Sequence, residues 1–196
     1  MRDRFQRGKD WQGQDLAGWL ISEKFNGVRM LWDGEKAWTR QGREIQLPET
    51  WRAALPVGIV LDGELYHARR LTLASNAARY GERHFCTGME FVVFDAPGAS
   101  GNWPKRLNAA RKVLTSVDFA RVVVYWVADD TDAVISEMRA VQRRGGEGLM
   151  ARHPQIGCLP GRTDNLLKIK KELPPCKQKK RAGKQWETVE TLTIRL

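Results

Sequence analysis

The chain has 196 residues and a mass of 22.4 kDa, with 42% hydrophobic and 29% charged residues. That is the size and mix of one folded domain, long enough to bury a core without disulfides. The longest apolar run, residues 122–128, is too short to cross a bilayer, which sets a transmembrane protein aside, and the polar stretch 1–10 argues against a secretory signal on this chain.

Thirty-three basic residues against 23 acidic ones leave a net charge of +10. The surplus is uneven: residues 168–196 hold nine Lys or Arg and three Glu, a net of +6. A basic C-terminal stripe suggests a polyanion partner, nucleic acid first, and the plain alternative is a solvated tail. Cys86, Cys158 and Cys176 are an odd set without short spacing, and His67, His84 and His153 are scattered. A structural zinc site is not expected, and free thiols fit a reducing compartment.

In chain order, residues 19–25 and 28–32 read as strands, and Asp33-Gly34 as a tight turn into a strand over 37–40. Residues 48–55 predict a short helix entered through Pro48, 59–66 a strand, 71–80 a helix, and 90–94 a strand closed by Pro97-Gly98. Leu107, Ala110, Leu114 and Val117 lie on one face of a helix predicted over 104–117. Residues 122–127 read as one buried strand. Val134, Met138 and Val141 define a helix over 131–144 that Gly145-Gly146 ends. Residues 148–152 and 166–170 read as strands, and 188–194 alternates like another. Early hairpins followed by helices predict an α+β fold.

No GxxxxGK[ST] loop is present, so phosphate chemistry must use another device. Lys24-Phe25-Asn26-Gly27 sets a lysine at a strand–turn junction, and a deprotonated lysine there can attack phosphorus. Asp62-Gly63-Glu64, Phe91 to Asp95 and Glu147-Gly148-Leu149-Met150 place acids at strand ends, where they can hold Mg²⁺ or merely cap turns. Lys168 and Lys170, two apart in Leu167-Lys168-Ile169-Lys170, share one strand face and can clamp a phosphate or line a wet surface.

In this order, and with Thr39-Arg40-Gln41-Gly42 as a further segment, these motifs resemble the covalent nucleotidyltransferase superfamily: ATP-dependent DNA ligases, RNA ligases and mRNA capping enzymes. The texture of residues 22–34, 61–66 and 161–170 is similar to the small bacterial and phage ATP-dependent DNA ligases. The resemblance covers residues 22–171 and implies an ATP-grasp-like adenylation domain of antiparallel sheets flanked by helices.

It also implies roles. Lys24 attacks the α-phosphorus of ATP and carries AMP, which passes to the 5′-phosphate of a nick before the 3′-OH displaces it. Lys168 and Lys170 neutralise the α-phosphate. Glu147, helped by Glu64, holds Mg²⁺ or Mn²⁺, and Glu64 also touches the ribose. Arg29 reaches the nucleotide sugar or the substrate end, Phe94 stacks on adenine with Phe91 as its rival, and Glu23 reads the adenine amino group. Arg40 meets the nick phosphate. The expected partner is nicked duplex DNA, an RNA-containing nick being the nearest rival, and the expected state is a cytoplasmic monomer in a bacterium or a phage host.

Two departures stand out. Asn26 replaces the usual Asp, and only 26 residues follow Lys170, too few for the OB-fold that such ligases carry. The expected division is therefore an adenylation domain over 1–173 and a basic tail over 174–196. Lys177, Lys179, Lys180 and Arg181 of that tail grip DNA phosphates, or a second protein supplies the missing domain. The reading of another class is a degenerate adenylation domain that only binds nucleic acid.

Overall fold

The computed structural model describes residues 6–68, 70–155, 157 and 161–170, with the backbone of 181–182 and 185–186. One sheet contains β1 (Gln6–Asp10), β2 (Leu20–Lys24), β9 (Tyr125–Val127), β10 (Gly148–Arg152) and β11 (Gly161–Ile169), in the order β1-β11-β10-β2-β9. The other contains β3 (Val28–Trp32), β4 (Ala37–Thr39), β5 (Glu44–Ile45), β6 (Leu61–His67), β7 (Met89–Asp95) and β8 (Ala120–Val122), in the order β5-β4-β3-β6-β7-β8. Pairing is antiparallel except for β1 with β11 and β7 with β8. A short hairpin pairs β12 (Arg181–Ala182) with β13 (Gln185–Trp186). The α+β expectation holds. Among the described residues no helix is long and apolar enough to cross a membrane.

Among the described residues four α-helices cover the sheets: α1 (Glu49–Ala54), α2 (Leu71–Tyr80), α3 (Trp103–Val113) and α4 (Thr131–Arg143). Asn102 caps α3 by accepting the Lys105 N–H at 3.3 Å, and Asp130 caps α4 by accepting the Ala133 N–H at 2.7 Å. Val134, Met138 and Val141 of α4 pack on Ile21, Leu149 and Leu167 of the first sheet. Ala74, Ala77 and Ala78 of α2 pack against Met30, Leu65 and Phe91 of the second. A smaller cluster of Leu20, Trp103, Leu107 and Val123 joins the two layers.

Three expectations need correction. The third helix stops at Val113, not Val117; Leu114 and Val117 stay buried as the chain turns, so the apolar spacing outlasts the helix. The run 122–127 is not one buried strand. It leaves the second sheet after Val122, where the Val123 N–H donates to the Val93 carbonyl at 2.8 Å, and joins the first sheet at Tyr125. Val123 is buried at the crossing, while Val124 is 77% exposed. Strand β1 has no apolar alternation and was not foreseen; its parallel ladder to β11 holds it. The strand expected over 188–194 lies outside the described residues.

Candidate active site

The turn Phe25-Asn26-Gly27 carries the chain from β2 of the first sheet into β3 of the second. A cavity of about 490 Å³ opens between the sheets at this turn. Gly27 is required there: a Cβ would lie 2.2 Å from the Leu65 carbonyl oxygen and 2.8 Å from Glu64 Cγ. Gly148 is required too, with φ of +147° and a Cβ that would meet the Ile169 carbonyl at 2.2 Å.

Lys24 ends β2 and stands opposite Gly148 in the antiparallel ladder. That register brings Glu147 beside it. One Glu147 carboxylate oxygen contacts Lys24 Nζ and the other lies 2.5 Å from Lys170 Nζ. Burial opposes ionisation of Glu147, but the hydrogen bonds and charges of Lys170 and Lys24 outweigh it and hold the carboxyl below its ordinary range. Lys168, opposite Met150 on β10, lines the same wall, and its Nζ is 3.2 Å from Asp10.

The second sheet builds the facing wall. Arg29 of β3 stands opposite Glu64 of β6 in the ladder. Its guanidinium grips Asp62 with two hydrogen bonds, at 2.9 and 2.5 Å, and donates to the Gln6 carbonyl at 2.9 Å. Arg29 therefore lines the cavity while tied to a buried acid, a partnership its spacing in the sequence does not reveal. Glu64 accepts the Gly27 N–H at 3.2 Å, and burial pushes its carboxyl up to about 7 against the pull of Lys24 and Arg29. Asp62, also raised by burial and held by Arg29, is closed off rather than open to a metal.

Phe94 lines the cavity, whereas its rival Phe91 is fully buried in the core of the second sheet, on the other side of the alternation. Glu23 and Arg40 also line the cavity. Asn26 is exposed on the connecting turn and is not among the lining residues. Lys177, Lys179, Lys180 and the side chain of Arg181 lie outside the described residues.

Beneath Phe94 runs a charged network the sequence reading missed. Asp95 takes two hydrogen bonds from Arg106, at 2.7 and 3.1 Å, with all partners buried. Arg152 approaches Asp95 at 3.9 Å and donates to the Gln6 side-chain oxygen at 3.2 Å. Gln6, Arg7 and Arg152 are further cavity residues that no motif flagged, and Arg162, within the segment 161–170, is one to which no role was given.

Among the described residues no group of three His, Cys, Asp or Glu forms a ready metal site. Magnesium bound through one carboxylate and the phosphates of a substrate needs no such group. Glu147, partly exposed and ionised, fits that donor role; Glu64 fits it less well while protonated.

No protein-family model matches the chain. It is 27% identical over 163 residues to a DNA ligase of Haemophilus influenzae, covering 82% of this chain and 60% of that protein. The chain thus spans about 60% of the length of that curated relative. A Lig E DNA ligase structure superposes with a TM-score of 0.71 at 28% identity, covering 85% of this chain and 68% of the other. The Chlorella virus DNA ligase-adenylate gives 0.69 at 17% identity, over 85% and 66%. The bacteriophage T7 ATP-dependent DNA ligase in complex with ATP gives 0.61 at 14%, over 86% and 68%. The described residues have the nucleotidyltransferase (adenylation) domain fold of ATP-dependent DNA ligases.

Proposed function

We propose that this chain takes AMP from ATP onto Lys24 and passes it to the 5′-phosphate of a nick in duplex DNA, which it then seals. The observation that carries the reading is the placement of Lys24 in a cavity with Lys168 and Lys170 on its own wall and Phe94 on the facing one. The DNA ligase of Haemophilus influenzae and the Lig E structure support DNA as the nucleic acid.

In the first step the Lys24 ammonium gives up a proton and Nζ attacks the α-phosphorus. A nitrogen–phosphorus bond forms, the bond to pyrophosphate breaks, and pyrophosphate leaves. Glu147, already in contact with Nζ, is placed to steer that proton loss. Lys168 and Lys170 stabilise the charge that builds on the α-phosphate, the kind of transfer that depends mostly on position and neutralisation. Phe94 offers a face for adenine, Glu23 a group for its amino edge, and Glu64 and Arg29 groups for the ribose. In the second step a 5′-phosphate oxygen takes the AMP and Lys24 recovers its proton. In the third the 3′-OH attacks the activated phosphate and AMP departs. Arg40 meets the nick phosphate, and the basic residues Lys177, Lys179, Lys180 and Arg181 add affinity for the duplex. A divalent ion on Glu147 would neutralise phosphate charge.

Intact mass after incubation with ATP and Mg²⁺ tests the first step. The native chain should gain one AMP and Lys24→Ala none. If neither gains it, in protein that carried no AMP beforehand, self-adenylylation by this chain is wrong. A pre-adenylylated DNA nick then tests the sealing step by itself, and the same nick with RNA at its 3′ side measures the choice of nucleic acid.

A further inference from the structure

We propose that Gln6 is a base-reading residue: its side-chain amide N–H donates to a ring nitrogen of an adenine stacked on Phe94. The inference rests on nucleotide binding in this cavity, as proposed above, and adds a specificity determinant to it.

Gln6 is 6% exposed, yet it lines the cavity. Both ends of the residue are tied. Its main-chain carbonyl accepts from Arg29 at 2.9 Å, and its side-chain oxygen accepts from Arg152 at 3.2 Å. A guanidinium can only donate. Arg152 therefore fixes which way the amide points: oxygen toward Arg152, nitrogen away from it. That nitrogen has no acceptor among the described residues and is not sealed from solvent. A buried side chain thus presents an oriented, unsatisfied donor to the cavity, and an unmet donor in such a place costs free energy until a ligand or water accepts from it.

The same two arginines locate the donor relative to the ring. Arg29 stands 5.3 Å from the centre of the Phe94 ring and Arg152 5.9 Å from it. Gln6 is hydrogen-bonded to both. Its amide is held by the groups that hold the stacking platform, so it faces the edge of a base rather than the phosphate end, where Lys24 and Lys170 gather around Glu147. Adenine offers three ring acceptors around its periphery, N1, N3 and N7, each on a different edge. Guanine carries a proton on N1, so contact at N1 would also reject GTP.

The test is adenylate formation on the full chain with ATP and with its 1-deaza, 3-deaza and 7-deaza analogues, each of which replaces one acceptor nitrogen by C–H. One analogue should show a KM about tenfold higher at unchanged maximal rate, the size of one lost hydrogen bond. Gln6→Glu keeps the oxygen for Arg152 and removes the amide donor. It should raise the KM for ATP and erase the difference between ATP and that analogue. Gln6→Met, with melting followed by circular dichroism, gives a second variant of similar length. If all three analogues match ATP on the unmodified chain, or the penalty persists in both variants, the proposal is overturned. Failure of ATP itself to bind or form an adduct would sink the nucleotide reading and this proposal with it, whereas a normal ATP adduct with equal analogues sinks this proposal alone.

Discussion

The two walls of the cavity hold their charges differently. On the first sheet, Lys24, Lys170 and Glu147 meet in partly exposed contacts that a phosphate or a cation can replace. On the second, Arg106 and Asp95 are each only 3% exposed at the side chain, and Asp62 is closed over by Arg29. Exposed pairs contribute little to stability and exchange partners readily. Buried pairs resist disruption, because removing one partner strands the other charge in a poor solvent. The first wall is therefore suited to chemistry and the second to holding Phe94 and Arg29 in place.

This contrast predicts opposite responses to mutation. Lys24→Ala should abolish the AMP adduct while leaving the melting temperature nearly unchanged, read by mass and calorimetry on the same sample. Arg106→Met should do the reverse, lowering stability by ~3–5 kcal/mol in urea titration; a loss below 1 kcal/mol would mean that the Asp95 charge finds another partner. Glu64 gives a third test between the extremes. Its folded carboxyl titrates at about 7 instead of 4.5, so the folded state binds the extra proton between those values. Stability from this group is full below about 4.5 and falls as pH rises toward 7, by at most ~3 kcal/mol. Glu64→Gln should flatten that part of the pH profile of unfolding. At the small end, Asp164→Asn breaks an exposed pair with Lys9 at 2.8 Å and should change stability by less than ~0.5 kcal/mol.

The first wall was largely legible in the sequence and the second was not. Lys24, Glu147, Lys168 and Lys170 all belong to short motifs; the spacing of Lys168 and Lys170 puts that pair on one strand face, while Lys24 and Glu147 meet only through the β2–β10 register. That Phe94 rather than Phe91 reaches the cavity follows from the alternation once the Phe91 face of β7 is seen to belong to the core of the second sheet. Gln6, by contrast, sits in a strand without apolar periodicity, and its partners Arg29 and Arg152 are 23 and 146 residues away. Buried ion pairs such as Asp62 with Arg29 also hide from sequence reading, because charged residues are ordinarily assigned to the surface. The run 122–127 misled for a related reason: its uniform apolarity records burial, not which sheet the chain is in.

That run has a consequence for how the molecule opens. Strand β8 hangs from the edge of one sheet and β9 from the edge of the other, with Val123 and Val124 alone between them. Peeling either edge pulls directly on the other through a connection with no slack. The two halves should then unzip together, and the backbone amides of Val123, which donates to the Val93 carbonyl, and of Ala128, which donates to the Trp19 carbonyl, should exchange with heavy water at matching rates under native conditions. Insertion of a flexible glycine–serine segment between Val123 and Val124 would uncouple those rates without touching a cavity residue.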